Sequence, residues 1–332
     1  MKIALPANDL SDRRLGAYVA MGVEALTVPH RLNTEYVARS PKPMVPPVGR
    51  GPSDGQAAPP QASELRRVCA RAREFGLEPI ATGVGLSRDI IMCGSGRDAD
   101  IATFAEAVRV IGDVGIGVIT LNFTALRASE GYDSHHDGRG GAQQRNFDAS
   151  RVQDLPPLRD VGSHSASDMW QRLAWFLEQT VPVAAAAGVR FAMHPNDPPV
   201  EQFRGVAQPL CDFGAMQRLV ESVDDAANCV YFDSGVATEW GENSADVARW
   251  FASRDRIGIA HIRNVRVHEP RLHYTETFID DGDADIAAVL QVLRDCGYDG
   301  GIDPDHTPGF TMDGEEMWIG WATSVGTLRG LR

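Results

Sequence analysis

Apolar and β-branched residues gather along this chain into eight short runs, at 2–6, 23–28, 78–82, 116–123, 189–194, 229–233, 257–261 and 300–303. Each has the length of a strand. Between them lie segments with a period near 3.6, at 62–76, 99–115, 167–188, 213–223 and 285–297, several of which close on glycine as a helix C-terminus does. Strand followed by helix, eight times over, predicts an α/β protein built as a single (β/α)8 TIM barrel spanning 1–332. A doubly wound sheet is the competing arrangement, but it calls for a GxGxxG turn after the first strand and none follows.

Two stretches fit neither element. Residues 30–60 carry seven prolines (Pro41, Pro43, Pro46, Pro47, Pro52, Pro59 and Pro60), too many for a helix. Residues 124–164 contain GYDSHHDGRGG and QQRNFD. They are expected to be long loops after strands two and four on the catalytic face, where lids and substrate clamps occur in barrels.

Composition narrows the class of partner. The 332 residues are 43% hydrophobic and 23% charged, an ordinary globular balance. A net charge of −13 repels nucleic-acid backbones and anionic membranes at long range, so neither is expected as a partner, while a small anion held by local Arg, His or metal charge is compatible. No run approaches the roughly 20 apolar residues of a membrane span. The N-terminal MKIALPANDL lacks the apolar core of a signal peptide. Five cysteines, with no CxxC pair, support neither a disulfide framework nor a zinc knuckle, so a cytoplasmic setting is expected. Barrels of this kind associate into homo-oligomers, although no interface is legible.

The candidate chemistry sits at the ends of four runs: FAMH at His194, VYFD at Asp233, IGIAH at His261 and GGIDPDH at Asp305, spaced 39, 28 and 44 residues apart. Each interval is about one βα unit, so in neighbouring parallel strands the four side chains converge at one mouth. A single histidine at the end of an apolar run is an ordinary hydrogen-bonded residue; four metal-capable groups in consecutive strands make a metal site the expectation. Asp197 either caps the turn after His194 or orients a ligand. Arg263, beside Asn264, suits a bidentate contact to a substrate carboxylate, against an ordinary salt bridge. Arg139 lies among glycines that allow close backbone approach but equally describe a loop tip. His135 and His136 are expected in solvent.

HPNDPP (194–199), HIRNV (261–265), DGDADI (281–286), PDH (304–306), GRGG (138–141) and the Asn122–Phe123 pair of strand four resemble, in order and spacing, the mannonate dehydratase pattern within the xylose-isomerase-like barrels. The resemblance covers most of the chain. It implies a divalent cation, usually Mn²⁺ with Mg²⁺ or another divalent ion compatible, held by His194, Asp233, His261 and Asp305. At 233 the family has cysteine; carboxylate oxygen keeps a ligand there and makes the site harder. The implied reaction removes water from D-mannonate or a related aldonate to give a 2-keto-3-deoxy acid. His306 is the proton-transfer candidate, and Arg263, Asn264, Asn122, Arg139 and Asp197 are the substrate-binding candidates. The resemblance also implies a tyrosine in the last helix as second acid. No tyrosine follows Tyr298 in this chain, where the segment carries Glu315, Glu316, Trp318 and Trp321. Tyr274 and Glu276 therefore stand as candidates for that role. The alternative reaction is metal-assisted isomerisation or epimerisation of a sugar, and the non-enzymatic alternative is a binding subunit, against which the retained ligands argue.

Overall fold

The computed structural model describes residues 1–37, 54–314 and 316–332. Its eight barrel strands are β1 (Lys2–Pro6), β2 (Ala25–Val28), β3 (Glu78–Gly83), β4 (Val118–Asn122), β5 (Arg190–His194), β6 (Asn228–Asp233), β7 (Ile257–His261) and β8 (Gly301–Asp303), all parallel and hydrogen-bonded in sequence order. Pairing of Lys2 with Gly301 and Ile3 with Ile302 closes the ring. A helix follows every strand, so the fold is a single (β/α)8 barrel as the hydrophobic pattern predicts.

Local sequence explains the helices. In Ala62–Glu74, Leu65, Val68, Cys69 and Ala72 form one buried stripe at helical spacing. Ser165 and Asp168 form a capping box at the start of Ala166–Ala186. Gly115 ends Arg97–Val114 with φ 86°, a left-handed conformation that glycine adopts without strain. Phe104, Phe176 and Phe191 pack between two helices and β5, with ring centroids 5.3–6.4 Å apart. Inside the ring small side chains meet large ones: Ala81 and Ala192 pack with Ile259 and Tyr231. Methyls there would collide, since a Cβ on Gly258 would fall 2.9 Å from Ala192 Cβ.

The stretch 124–164 is not an open loop. It contains strands Tyr132–His135 and Gln144–Asp148, which join Asn264–Glu269 and His273–Thr277 in a four-stranded antiparallel sheet. Strands of this kind, paired with a segment far along the chain, carry no helix or buried-strand period of their own. Most of the Pro-rich stretch, residues 38–53, lies outside the described residues, as does Glu315. No helix among the described residues is long and apolar enough to cross a membrane.

Just past β1, Asp9 is fully buried and gathers four donors. Arg14 Nε gives to its Oδ2 at 2.9 Å, Val37 N to the same oxygen at 2.9 Å, and Ser11 Oγ and N to Oδ1 at 2.7 and 3.1 Å. Burial pushes this carboxyl up, but the donors from Ser11, Val37 and Arg14 win and hold it below the usual range. Removing one member of a buried ion pair strands the other, so Asp9→Ala should lose about 3–5 kcal/mol in urea unfolding at neutral pH. Because the folded-state pKa lies below the unfolded one, this contribution is full above roughly pH 4 and fades as pH falls through the folded value, so the gap between variant and wild type should narrow in acid.

Candidate active site

Of the four expected ligand groups, His194, Asp233 and His261 come together, and Asp305 stands beside them. A cavity of about 320 Å³ opens at the C-terminal ends of β4–β7, lined from the strands by Thr120, Asn122, His194, Tyr231 and His261. Loops supply Thr124, Arg127, Arg145, Pro195, Asp197, Asp305 and His306.

His194 and His261 from the cavity lining and Asp233 behind them bring three ligand-type atoms into a triangle: His194 Nε2 to His261 Nδ1 is 3.2 Å, His261 Nδ1 to Asp233 Oδ2 is 3.3 Å, and His194 Nε2 to Asp233 Oδ2 is 3.5 Å. The centre of such a triangle lies about 1.9 Å from each corner, so the spacing would suit an ion with the usual 2.0–2.2 Å distances to N and O ligands. His194 Nδ1 donates to the Pro195 carbonyl at 2.7 Å, which leaves Nε2 with a free lone pair toward the triangle. Asp233 uses Oδ1 to accept from Val236 N, capping the helix Ser234–Glu239, and turns Oδ2 to the histidines. Tyr231 lies beneath both, its ring 3.9 Å from that of His261 and edge-on to His194 at 5.3 Å. The donor set of imidazole and carboxylate suits a borderline-to-hard divalent ion.

Asp305 stands beside this triangle and not within it. β8 ends at Asp303, and Asp305 follows in a left-handed conformation with φ 59°. Its Oδ1 is 3.7 Å from His261 Nε2 and its Oδ2 3.2 Å from His306 Nε2. Burial lowers the His306 pKa to about 4, overriding the opposite pull of Glu276 and Asp305, so the imidazole is neutral at physiological pH. That is lower than an imidazole titrating near neutrality.

Three expected substrate contacts fall elsewhere. Arg263 is 2% exposed and does not line the cavity. Its guanidinium is committed to protein carboxylates: Nε gives to Asp233 Oδ2 at 3.0 Å, Nη1 to Glu239 Oε1 at 2.9 Å and Nη2 to Asp197 Oδ2 at 3.3 Å. Burial alone would raise Asp233, but Arg263 and then the two histidines hold it well below the carboxylate range. Asn264 spends its amide on the carbonyls of Ile279 and Ala284 and accepts from Ala284 N, which ties down the loop after the four-stranded antiparallel sheet, hereafter the cap sheet. Arg139 is exposed, bidentate to Asp280 at 3.0 Å and stacked over Phe278. Asn122 and Asp197 do line the cavity. Tyr274 is fully buried behind it; with Tyr132 it donates to Asp197 Oδ1, at 3.0 and 2.9 Å, the two phenols lying 2.7 Å apart. Burial raises Asp197, yet Arg263, Arg127 and Arg145 bring it down to about 2. Glu276 is also behind the wall, 3.2 Å from His306 Nε2.

Sequence reading passed over Tyr231, Thr120, Arg127, Arg145 and Glu239. Strand periodicity offered two of them, because residues two apart share a face and Tyr231 and Thr120 precede Asp233 and Asn122 by two. Arg145 comes from the cap strand Gln144–Asp148, invisible until that strand is placed.

Residues 158–332, more than half of the chain, match the D-mannonate dehydratase (UxuA) family. The chain belongs to that family. Family membership carries the class of chemistry, a hydro-lyase acting on a sugar acid. Among its relatives, the mannonate dehydratase of Shouchella clausii is 27% identical over 276 residues, 73% of this chain and 76% of that one. The mannonate dehydratase of Streptococcus suis (strain 05ZYH33) is 27% identical over 278 residues, 76% of this chain and 75% of the other. The crystal structure of mannonate dehydratase from Streptococcus suis serotype 2 superposes with a TM-score of 0.80 at 22% identity, covering 100% of this chain and 92% of that one. A D-psicose 3-epimerase from Clostridium cellulolyticum H10 gives 0.59 at 14% identity over 100% and 99% of the two chains. These two likenesses bear on the fold.

Arg263 also explains a glycine. A Cβ on Gly235 would fall 2.8 Å from Arg263 Cγ, Cζ and Nη1. Gly235→Ala should therefore push the guanidinium off its carboxylates and cost about 1–3 kcal/mol in denaturant unfolding. Wild-type stability in that variant would mean that Arg263 shifts freely.

Proposed function

We infer that this enzyme removes water from D-mannonate or a closely related aldonate, with a divalent cation, Mn²⁺ foremost, to give a 2-keto-3-deoxy acid. The observation that carries this reading is the triangle of His194, Asp233 and His261, two corners of which line a cavity together with His306, in a chain of this family.

The ion would be held by those three side chains, with Asp305 joining them from the cavity wall. When bound, it supplies positive charge to stabilise the anion that develops when a proton leaves the carbon beside a carboxylate. The protein does the rest. His306 accepts the proton from C2, and the electron pair of that C–H bond becomes the C2–C3 double bond. The C3 hydroxyl departs, takes up a proton and is lost as water; the enol left behind becomes the 2-keto group. A base must be unprotonated to act, and burial keeps His306 so. Arg127 and Arg145 put positive charge on the cavity lining, where it suits the oxygens of an anionic substrate. Asn122, Thr120 and Thr124 offer neutral donors and acceptors to the hydroxyls. Tyr231 and Arg263 act on the ion's ligands, the first by packing and the second by charge.

The test is turnover of an aldonate panel by the purified chain, with and without chelator, scored for a 2-keto-3-deoxy product. Mn²⁺-dependent product from D-mannonate is expected. Conversion of a ketose or aldose without loss of water would overturn the reading.

Two further outcomes are expected. His194→Ala should reduce bound Mn²⁺ by at least 10–100-fold in affinity, read by equilibrium dialysis, because one corner of the triangle is gone. His306→Asn should retain Mn²⁺ and lose about 10²–10⁴-fold in kcat.

A further inference from the structure

The segment that follows β4 is packed on one side and open on the other. Phe123, Ala125, Leu126 and Ala128 are buried, while Asn122, Thr124 and Arg127, interleaved with them, line the cavity. Asn196, itself fully buried, fixes the stretch. Its Nδ2 donates to Thr124 Oγ1 at 2.9 Å and to the Phe123 carbonyl at 3.3 Å, and its Oδ1 accepts from Leu210 N at 2.8 Å. Arg127 thus leaves a firmly held backbone, with 43% of its side chain open to solvent.

Arg263, Arg145 and Arg127 differ in what they are tied to. Arg263 is bound by three protein carboxylates. Arg145 has its Nη1 3.3 Å from Glu276 Oε2, buried with it, and its guanidinium covers the Tyr132 ring at 4.3 Å. Among the described residues, Arg127 has one carboxylate at ion-pair distance, Asp197, whose Oδ2 is 3.6 Å from Arg127 Nη2 and so past hydrogen-bond length. That oxygen already accepts from Arg263 Nη2 at 3.3 Å, and Oδ1 accepts from Tyr132 and Tyr274. Asp197 therefore holds Arg127 at the cavity without neutralising it.

A guanidinium beside a carboxylate that other donors have already claimed is fitted to take a second carboxylate, through two parallel N–H groups. We propose that Arg127 is the specificity-determining residue of this site: it takes the carboxylate of the substrate, and so selects sugar acids over uncharged sugars of the same length. The proposal rests on the dehydratase reading above and names the residue that recognises the acid. An uncharged sugar would offer Arg127 only neutral acceptors, and such hydrogen bonds are about half as strong as charge-assisted ones. A carboxylate has about four acceptor positions, so the contact with Arg127 leaves the same group able to face the ion. Asn122 and Thr124, on the same held segment, then fall to the hydroxyls.

The test uses a ligand that cannot react. A six-carbon 3-deoxyaldonate has no C3 hydroxyl to lose, and its C1 amide has the same length and shape without the charge. Binding of each to the full chain loaded with Mg²⁺ is read by calorimetry. The wild type should bind the acid at least about 10-fold more tightly than the amide. Arg127→Gln should lose about 10–100-fold in affinity for the acid while its affinity for the amide stays within a few-fold, and Arg127→Lys, which keeps the charge and loses the fork, should fall between. Mg²⁺ is present in every sample, so the change between variants is the arginine's share. In turnover of D-mannonate, Arg127→Gln should raise KM by a similar factor with kcat within a few-fold, as expected of a contact made equally before and during the reaction. An acid preference in Arg127→Gln equal to that of the wild type overturns this proposal alone, and so does an equal loss of both ligands, which would mark a structural role. A wild type that binds neither ligand overturns the dehydratase reading and this proposal together.

Discussion

One guanidinium holds the mouth of this barrel together. Arg263 is buried where β7 ends, and it meets Asp233 from the end of β6, Glu239 from the helix that follows, and Asp197 from the loop after β5. Three carboxylates brought this close and this far from water would repel one another and resist ionisation without a cation among them. Asp233 stays charged beside Arg263 and can serve as a ligand; Glu239, with burial against it and the neighbouring acids Asp197, Asp233 and Glu276 adding to the effect, is pushed well above its ordinary range despite its contact with Arg263. The same side chain thus sets the charge of the site and the relative placement of three strand ends.

This role was not legible in the sequence. HIRNV shows an arginine next to a presumed ligand, and an arginine near a sugar-acid site reads naturally as an anchor for the substrate carboxylate. What decides otherwise is the count of protein acids around it, and those acids come from positions 197, 233 and 239. By contrast, the barrel and the meeting of His194, Asp233 and His261 were readable, because each depends on a local signal: a buried run for the strand, and a polar residue at its end. Asp305 shows the limit of that signal. The run at 300–303 marked the strand correctly, but Asp305 lies two residues past its end in a left-handed conformation, so strand position alone did not place its carboxylate.

The cap sheet was missed for a related reason. Its strands are short, polar on one side and paired with segments far away, so neither periodicity nor length marks them. It nonetheless supplies Arg145 to the cavity wall, and Tyr132, Tyr274 and Glu276 behind it. The barrel provides the floor of the site and this sheet provides most of the second layer of polar contacts, through Asp197 on one side and His306 on the other.

The sheet's composition from two excursions, one leaving β4 and the other leaving β7, bears on how the chain reaches its native form. Thr275 and Asn146, hydrogen-bonded across it at 3.0 Å, are 129 positions apart. Contacts of such long sequence separation are costly in loop entropy. Because this sheet brings Arg145 to the cavity lining, the lining is complete only when the two excursions have paired with each other.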